Sequence, residues 1–489
     1  VTALRVAILQ APAPDLDKAE AAWDALLDRI DEAARDEPDL VVLPEASYPA
    51  WFLGQAASTA PATADSDVLA ALAGRARVHQ VYIAAGLILG RPSTPENAAV
   101  LIAPDGHEVV RAGEASAGAA WFRAGRGPAA ATLAGLRVAL VAGADLLDPR
   151  FVLDLAGRAD IVISTGAPRT TVRGGTRTGD VAGFVLPTRA VETGAWVVSA
   201  GRVGTEDLAI AYGGGAGVVS PRGEWAVRAP ADRPGIVLHE LDVRPAEATA
   251  AQLPDDYSAT PASAPRGSTR VSALALDPGP SAVDLVEAVR ASVRRAAALG
   301  ARLVVLPDLS GADPRAVTLA ETLPLIEATS TETRTAIVAT LAERAGGALY
   351  RTCAVIDGGR TLESHRQASI STRDHRAGFT AGSEAPPVVM VEGAGAVGVL
   401  AGREALSPGA AASLRRRGAQ LLAWSAGDLG VDAVAVARTR AWEQRLPVLA
   451  AGSTAGGACI VAAGGHLATA TPEGTAMLVH GEVERLGRG

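Results

Sequence analysis

Two halves of this chain repeat one plan, and that repeat limits the folds open to it more than any other feature. Arg5-Val-Ala-Ile-Leu-Gln10 recurs as Arg270-Val-Ser-Ala-Leu-Ala275, and Leu40-Val-Val-Leu-Pro-Glu45 recurs as Leu303-Val-Val-Leu-Pro-Asp308. Between the two words, each half has a stretch with apolar residues at helical spacing, Asp17 to Arg35 and Ala282 to Ala298. A further helix then leads to a strand pair: Val81 to Gly86 with Ala99 to Ala103 in the first half, Ala348 to Tyr350 with Cys353 to Asp357 in the second. The order continues in register. Arg137-Val-Ala-Leu-Val-Ala-Gly143-Ala-Asp145 corresponds to Val397-Gly-Val-Leu-Ala-Gly402-Arg-Glu404, and Asp160-Ile-Val-Ile-Ser164 to Gln420-Leu-Leu-Ala-Trp424. Helices carrying Thr188-Arg-Ala-Val-Glu192 and Thr439-Arg-Ala-Trp-Glu443 follow. The spacing predicts a domain over 1–246, a linker rich in Ala, Pro, Ser and Thr over 247–268, and a second domain over 269–489.

Composition excludes several classes of function. No uninterrupted apolar run reaches membrane-spanning length, and the first residues enter a strand-like word without a secretory pattern, so no membrane role and a cytoplasmic location are expected. A formal net charge of −8 gives no general attraction to nucleic acid. Cys353 and Cys459 lie in apolar runs and read as buried thiols. The seven histidines form no close pair, and Gly213-Gly-Gly-Ala-Gly217 lacks the spacing of a dinucleotide loop, so neither metal nor cofactor is expected. Arg415, Arg416 and Arg417 read as a solvated face, and the Arg189/Glu192 and Arg440/Glu443 pairs, three apart on helices, as structural ion pairs.

The paired words resemble the nitrilase (carbon-nitrogen hydrolase) superfamily, once per half. Tyr212-Gly-Gly-Gly-Ala-Gly-Val-Val-Ser-Pro-Arg-Gly-Glu224 is similar to that family's closing strand and turn, Pro254-Asp-Asp-Tyr257 to its tail, and Asn97 to an Asn ahead of its lysine. The resemblance implies an α/β fold of two tandem four-layer α-β-β-α sandwiches, and a pairing of the two that could be internal to the chain, as a pseudo-dimer. It also implies a Glu, a Lys and a nucleophilic Cys at three strand ends. Transferred residue by residue, these positions hold Glu45, Ala112 and Gly143 in the first half, and Asp308, Gln367 and Gly402 in the second. Arg111 and Arg366, which flank the lysine positions, should point to the opposite strand face. Cysteine-dependent hydrolysis of amides or nitriles is therefore disfavoured.

Glu45 with Arg123, Asp145, Arg169 and Arg173 forms the expected pocket, suited to a small polar or anionic ligand because guanidinium forks pair with carboxylates and phosphates. Three readings follow. One is a catalytically degenerate protein that binds a small molecule or acts as a scaffold, alone as a homo-oligomer or with an active partner enzyme. The second is a repurposed enzyme, with Glu45 as its catalytic residue and pocket arginines assisting, acting on a small polar nitrogen compound. The third is a conventional amidase or nitrilase.

Overall fold

The computed structural model describes residues 2–53, 65–91, 94–116, 122–171, 180–244, 265–277, 282–310, 318–427, 429–472 and 477–486. The chain divides into two compact units, Val1–Ala250 and Ala251–Gly489. Most of the expected linker lies outside the described residues. Its last four residues, from Pro265 to Ser268, instead open the first strand of the second unit, Pro265–Ala275, held by Met477–Leu486 through antiparallel pairing.

Among the described residues, the first unit has one sheet of nine strands and one of six. The larger is built around Thr2–Pro12, flanked in parallel by Leu40–Val42 and Gly201–Glu206 and in antiparallel by Gly235–Val243. The smaller runs in the order Trp225–Arg228, Gly217–Val219, Trp196–Ser199, Ile161–Ser164, Leu136–Val141, Ala129–Leu133. Alternation along each strand sends one set of apolar residues between the sheets and the other outward under helices. Val6, Ile8, Leu40, Val42, Val138, Leu140, Ile161 and Ile163 fill the space between the sheets. Ala7, Leu9, Val41 and Ile83 pack under the helices Ala19–Ala34 and Asp65–His79. On the other side Ala139, Val141, Val162 and Val197 pack under Ala182–Thr193. Helix, sheet, sheet, helix is thus the layering that the resemblance implies.

Among the described residues the second unit repeats it with two six-stranded sheets, one ordered Arg360–Arg366, Ala348–Asp357, Ala336–Ala345, Leu303–Asp308, Pro265–Ala275, Met477–Leu486. The other is ordered Val388–Val391, Gly395–Ala401, Leu421–Ser425, Val448–Ala451, Ala458–Val461, Leu467–Ala470. One expectation needs correcting: Ala348–Asp357 is a single strand, and its partner is Ala336–Ala345. The turn between them is Gly346-Gly347, with φ of 59° and 81°, and Ala345 pairs directly with Ala348. Two central residues with positive φ are what a two-residue hairpin needs to match strand twist. Arg415 also departs from expectation, being buried rather than solvated.

Candidate functional site

In each unit the carboxylate word and the glycine word meet where the two sheets come together. Beyond the strand Leu40–Val42 the chain runs through Pro44 to Glu45, whose amide donates to the Thr165 carbonyl at 2.5 Å, just past Ile161–Ser164 of the facing sheet. Asp308 repeats this with the Ala426 carbonyl at 2.9 Å. Gly86 lets the neighbouring strand approach, since a Cβ there would lie 2.5 Å from the Glu45 Cα.

Glu45 is 1% exposed and fully engaged. Its Oε1 accepts from Asn97 Nδ2 at 2.5 Å, its Oε2 from the Ala167 amide at 3.1 Å, and Arg169 Nη1 donates to both oxygens at 2.9 and 2.8 Å. The Arg169 guanidinium lies over the Trp51 ring, 3.8 Å from its centroid, and Phe122 meets Trp51 edge-on at 5.8 Å. Charge-assisted bonds of this kind offset the cost of holding a carboxylate away from water.

Sequence reasoning missed Glu114, the second carboxylate here. Its Oε2 accepts from the same Asn97 Nδ2 at 2.7 Å, and its Oε1 from the Ala144 amide at 2.8 Å. Burial, reinforced by the Glu45 charge, pushes its carboxyl up to about 7. Glu114 also corrects the placement of Ala112. The Glu114 amide donates to the Asn97 carbonyl as the Gln367 amide donates to Arg351, both at 2.8 Å, so Glu114 and Gln367 are counterparts. Ala112, two residues earlier on the same strand face, pairs with Ala99 as His365 pairs with Cys353. Its methyl packs in the core between the sheets.

Gly143 and Gly402 each follow a strand buried at its end, Leu136–Val141 and Gly395–Ala401, and open a 3-10 turn, with φ of 52° and 47°. Left-handed φ is costly for residues other than glycine. A Cβ on Gly143 would lie 2.6 Å from Glu114 Oε1 and 2.7 Å from Asn97 Nδ2. On Gly402 it would lie 2.6 and 2.7 Å from the Gln367 amide atoms. In both units the side chain at the Glu114/Gln367 position therefore fills the space beside the glycine.

The remaining expected residues separate. Asp145, fully buried, accepts from the Ala115 and Ser116 amides at 2.7 to 3.1 Å and clamps that loop; burial raises its carboxyl above the usual range. Arg123 is exposed and turns to Glu96, away from Glu45, while its neighbour Phe122 packs inward. Arg173 lies outside the described residues. Arg111 and Arg366 point outward, to Glu108 and Glu343.

The second unit neutralises its acid differently. Asp308 Oδ1 accepts from the Ser310 amide at 2.9 Å and hydroxyl at 2.5 Å, and Arg351 Nη1 bonds to Oδ2. Arg351, in the register position of Asn97, lies over Phe379 and also reaches Asp374 at 3.0 Å. Gln367 donates to the Ser369 carbonyl, and His365 Nε2 lies 2.8 Å from Glu404 Oε1.

Both thiols are buried in strands of the second unit. Burial pushes both Cys353 and Cys459 up to about 12, so both stay protonated at neutral pH. Among the described residues no group of three or more His, Cys, Asp or Glu side chains is arranged to hold a metal ion, and no helix is long and apolar enough to cross a membrane.

No curated protein matches the chain. Its solved structural neighbours include an amidase from Nesterenkonia sp. AN1 in complex with acrylamide, as a double mutant, at 23% identity over 49% of this chain and 90% of that one, TM-score 0.43. Another is a mutant of the same amidase, described as from the nitrilase superfamily, at 24% identity, the same coverage and TM-score 0.44. A further mutant, in complex with butyramide, has 23% identity, the same coverage and TM-score 0.43. The carbon-nitrogen hydrolase family matches over residues 5–251 and again over 270–486, nearly the whole chain in two successive copies. The chain belongs to the carbon-nitrogen hydrolase family.

Proposed function

We propose that the chain is a catalytically degenerate member of its family, serving as a small-molecule-binding or scaffolding protein rather than hydrolysing amides or nitriles through a cysteine. The observation that carries this reading is the occupied space beside Gly143 and Gly402. Each glycine stands where the resemblance places a nucleophile, offers no atom to attack with, and has Glu114 or Gln367 in the volume a side chain would enter. Losing the nucleophile alone costs on the order of a millionfold in turnover in a well-studied serine protease. The buried, protonated thiols of Cys353 and Cys459 offer no replacement. Glu45 and Asp308, each held by an arginine and further donors, act as anchors of the site rather than as free bases.

One observation favours the repurposed, cysteine-free enzyme as a second reading. Glu114, pushed up to about 7 beside Glu45, gives the first unit two buried carboxyl groups in different environments, an arrangement that can divide acid and base roles. A thermal-shift screen with small acids, amides and amines, followed by analysis of each hit for consumption, separates the two. A ligand that raises the melting temperature and is recovered unchanged supports binding. No hit at all leaves the scaffolding role. A hit that is consumed, with consumption lost in Glu45→Gln, overturns the first reading in favour of the second.

A further inference from the structure

The second unit carries a basic groove at the opposite ends of its strands from Asp308. It has a volume of about 490 Å³ and is lined by Arg270, Arg302 and Arg334 together with Ser268, Thr269 and Glu482. Arg270 belongs to the strand Pro265–Ala275, Arg302 immediately precedes Leu303–Asp308, and Arg334 immediately follows the helix Leu319–Thr333. Among the described residues none of the three arginines forms an ion pair with a carboxylate, and the acid of the groove, Glu482, is engaged by the Ser268 hydroxyl. Three arginines thus line one concavity with a single carboxylate, a net charge that attracts anions.

The first unit supplies an internal comparison. The Arg302 amide donates to the Arg270 carbonyl as the Asp39 amide donates to Arg5, each at 2.8 Å. Arg334 and Gln80 both have left-handed φ, 52° and 54°, two residues ahead of Ala336 and Tyr82, whose amides donate to the Arg302 and Asp39 carbonyls. Glu482 pairs with Arg270 in the sheet as Glu240 pairs with Arg5. The same backbone positions that hold Arg5, Asp39, Gln80 and Glu240 in one unit therefore hold Arg270, Arg302, Arg334 and Glu482 in the other. The fold does not require cations there, because the first unit builds identical backbone contacts with an aspartate and a glutamine. Asp39 even turns its carboxylate onto the Arg5 amide at 2.8 Å, a bond that Arg302 cannot accept.

We propose that this groove of the second unit binds a small multivalent oxyanion of the phosphoryl type, whether free or as a lipid headgroup. Planar guanidinium groups recognise phosphoryl oxygens in pairs, and the Thr269 and Ser268 segment borders the same space. The site is separate from the Glu45 and Asp308 networks, and its occupancy does not depend on whether those retain chemistry.

Isothermal titration of the full chain with inorganic pyrophosphate tests it, with the double variant Arg302→Asp/Arg334→Gln as control. That variant installs the first unit's own residues at exposed positions, and its melting temperature should match that of the unchanged chain. Pyrophosphate is expected to bind the unchanged chain, with affinity falling as salt is raised, and to bind the variant more than about tenfold more weakly, the effect of losing at least one charge-assisted bond. Co-sedimentation with phosphatidylcholine vesicles, with and without phosphatidic acid, identifies the source of the oxyanion. Retention on phosphatidic acid vesicles that the variant loses assigns a lipid headgroup, and pyrophosphate binding without such retention assigns a free ligand. Equal pyrophosphate affinity in the two proteins, or neither pyrophosphate binding nor variant-sensitive vesicle retention, overturns the proposal.

Discussion

Replacing Arg189 by methionine is expected to destabilise the protein by about 3–5 kcal/mol, the cost of leaving a buried charge without its partner. Arg189 and Glu192 have completely buried side chains and pair at 2.7 Å. The arginine does more than neutralise the acid. Its Nε donates to the Leu146 carbonyl at 2.9 Å and its Nη2 to Leu147 at 2.7 Å, satisfying the end of the 3-10 turn that Gly143 opens. The second unit repeats the device. Arg440 pairs with Glu443 at 2.5 Å and donates to Ala405 and Leu406 at 2.7 and 3.3 Å, at the end of the turn opened by Gly402. Arg440→Met should therefore cost a similar amount. Chemical denaturation of the two single variants, with Arg189→Met/Glu192→Leu alongside, checks the mechanism: removing both partners should recover much of the loss, because no charge is left stranded. Single-variant losses below about 1 kcal/mol would place the pair among weakly contributing surface bridges instead.

The second large effect is a dependence of stability on pH that Glu114 imposes. Its carboxyl is raised in the folded protein from 4.5 to about 7, first by burial and then by the charge of Glu45. A carboxyl with a raised folded value binds its proton more tightly when folded, so its contribution to stability is complete below about 4.5. That contribution is lost as pH rises through about 7, and amounts to roughly 3 kcal/mol across the window. Glu114→Gln, which carries no charge at any pH, should flatten this part of the profile and be the more stable protein at pH 8 relative to its own stability at pH 4.5. Asp145, also raised by burial, contributes in the same direction, so the difference between wild type and variant isolates Glu114. Parallel profiles from pH 4.5 to 8 for the two proteins would show that Glu114 ionises freely and that the carboxyl pair does not behave as described.

Much of the fold was legible because the repeat wrote it twice. The strand words and the Arg-Glu helix pairs follow local rules of alternation and helical spacing, and they reappear at matching places in both units. The hairpin of the second unit was partly misread: Ala336–Ala345, with its Ala, Glu and Arg, carries a weak strand signal, whereas the two glycines that close the hairpin are the stronger one. In the site, Glu45 was readable from its strand end and Arg169 from the loop that follows the facing strand. Glu114 was not, because Arg111 and Arg366 look like matching landmarks. Strand pairing sets Arg366 opposite Thr352 and Gly113 opposite Ala98, so the true correspondence is shifted by two residues, and a two-residue shift keeps the same face and leaves no trace in the alternation. Arg123 was misplaced for the complementary reason. One residue reverses the direction of a side chain, and Phe122 takes the inward position.

That difference matters for function. A carboxyl group, Glu114, stands at the register position of Gln367, and among the described residues the cation bonded to Glu45 is Arg169, brought by a different loop. The glycine elbow and its Arg-Glu support recur in both units.

Ammonia release is the most direct test. The full chain is incubated with short aliphatic amides and nitriles, with and without prior treatment by iodoacetamide, and ammonia is measured against a buffer blank. With glycine at both elbows and both thiols buried, no release above the blank is expected in either sample. Release that iodoacetamide abolishes would show a working cysteine nucleophile and contradict the assignment of Gly143 and Gly402.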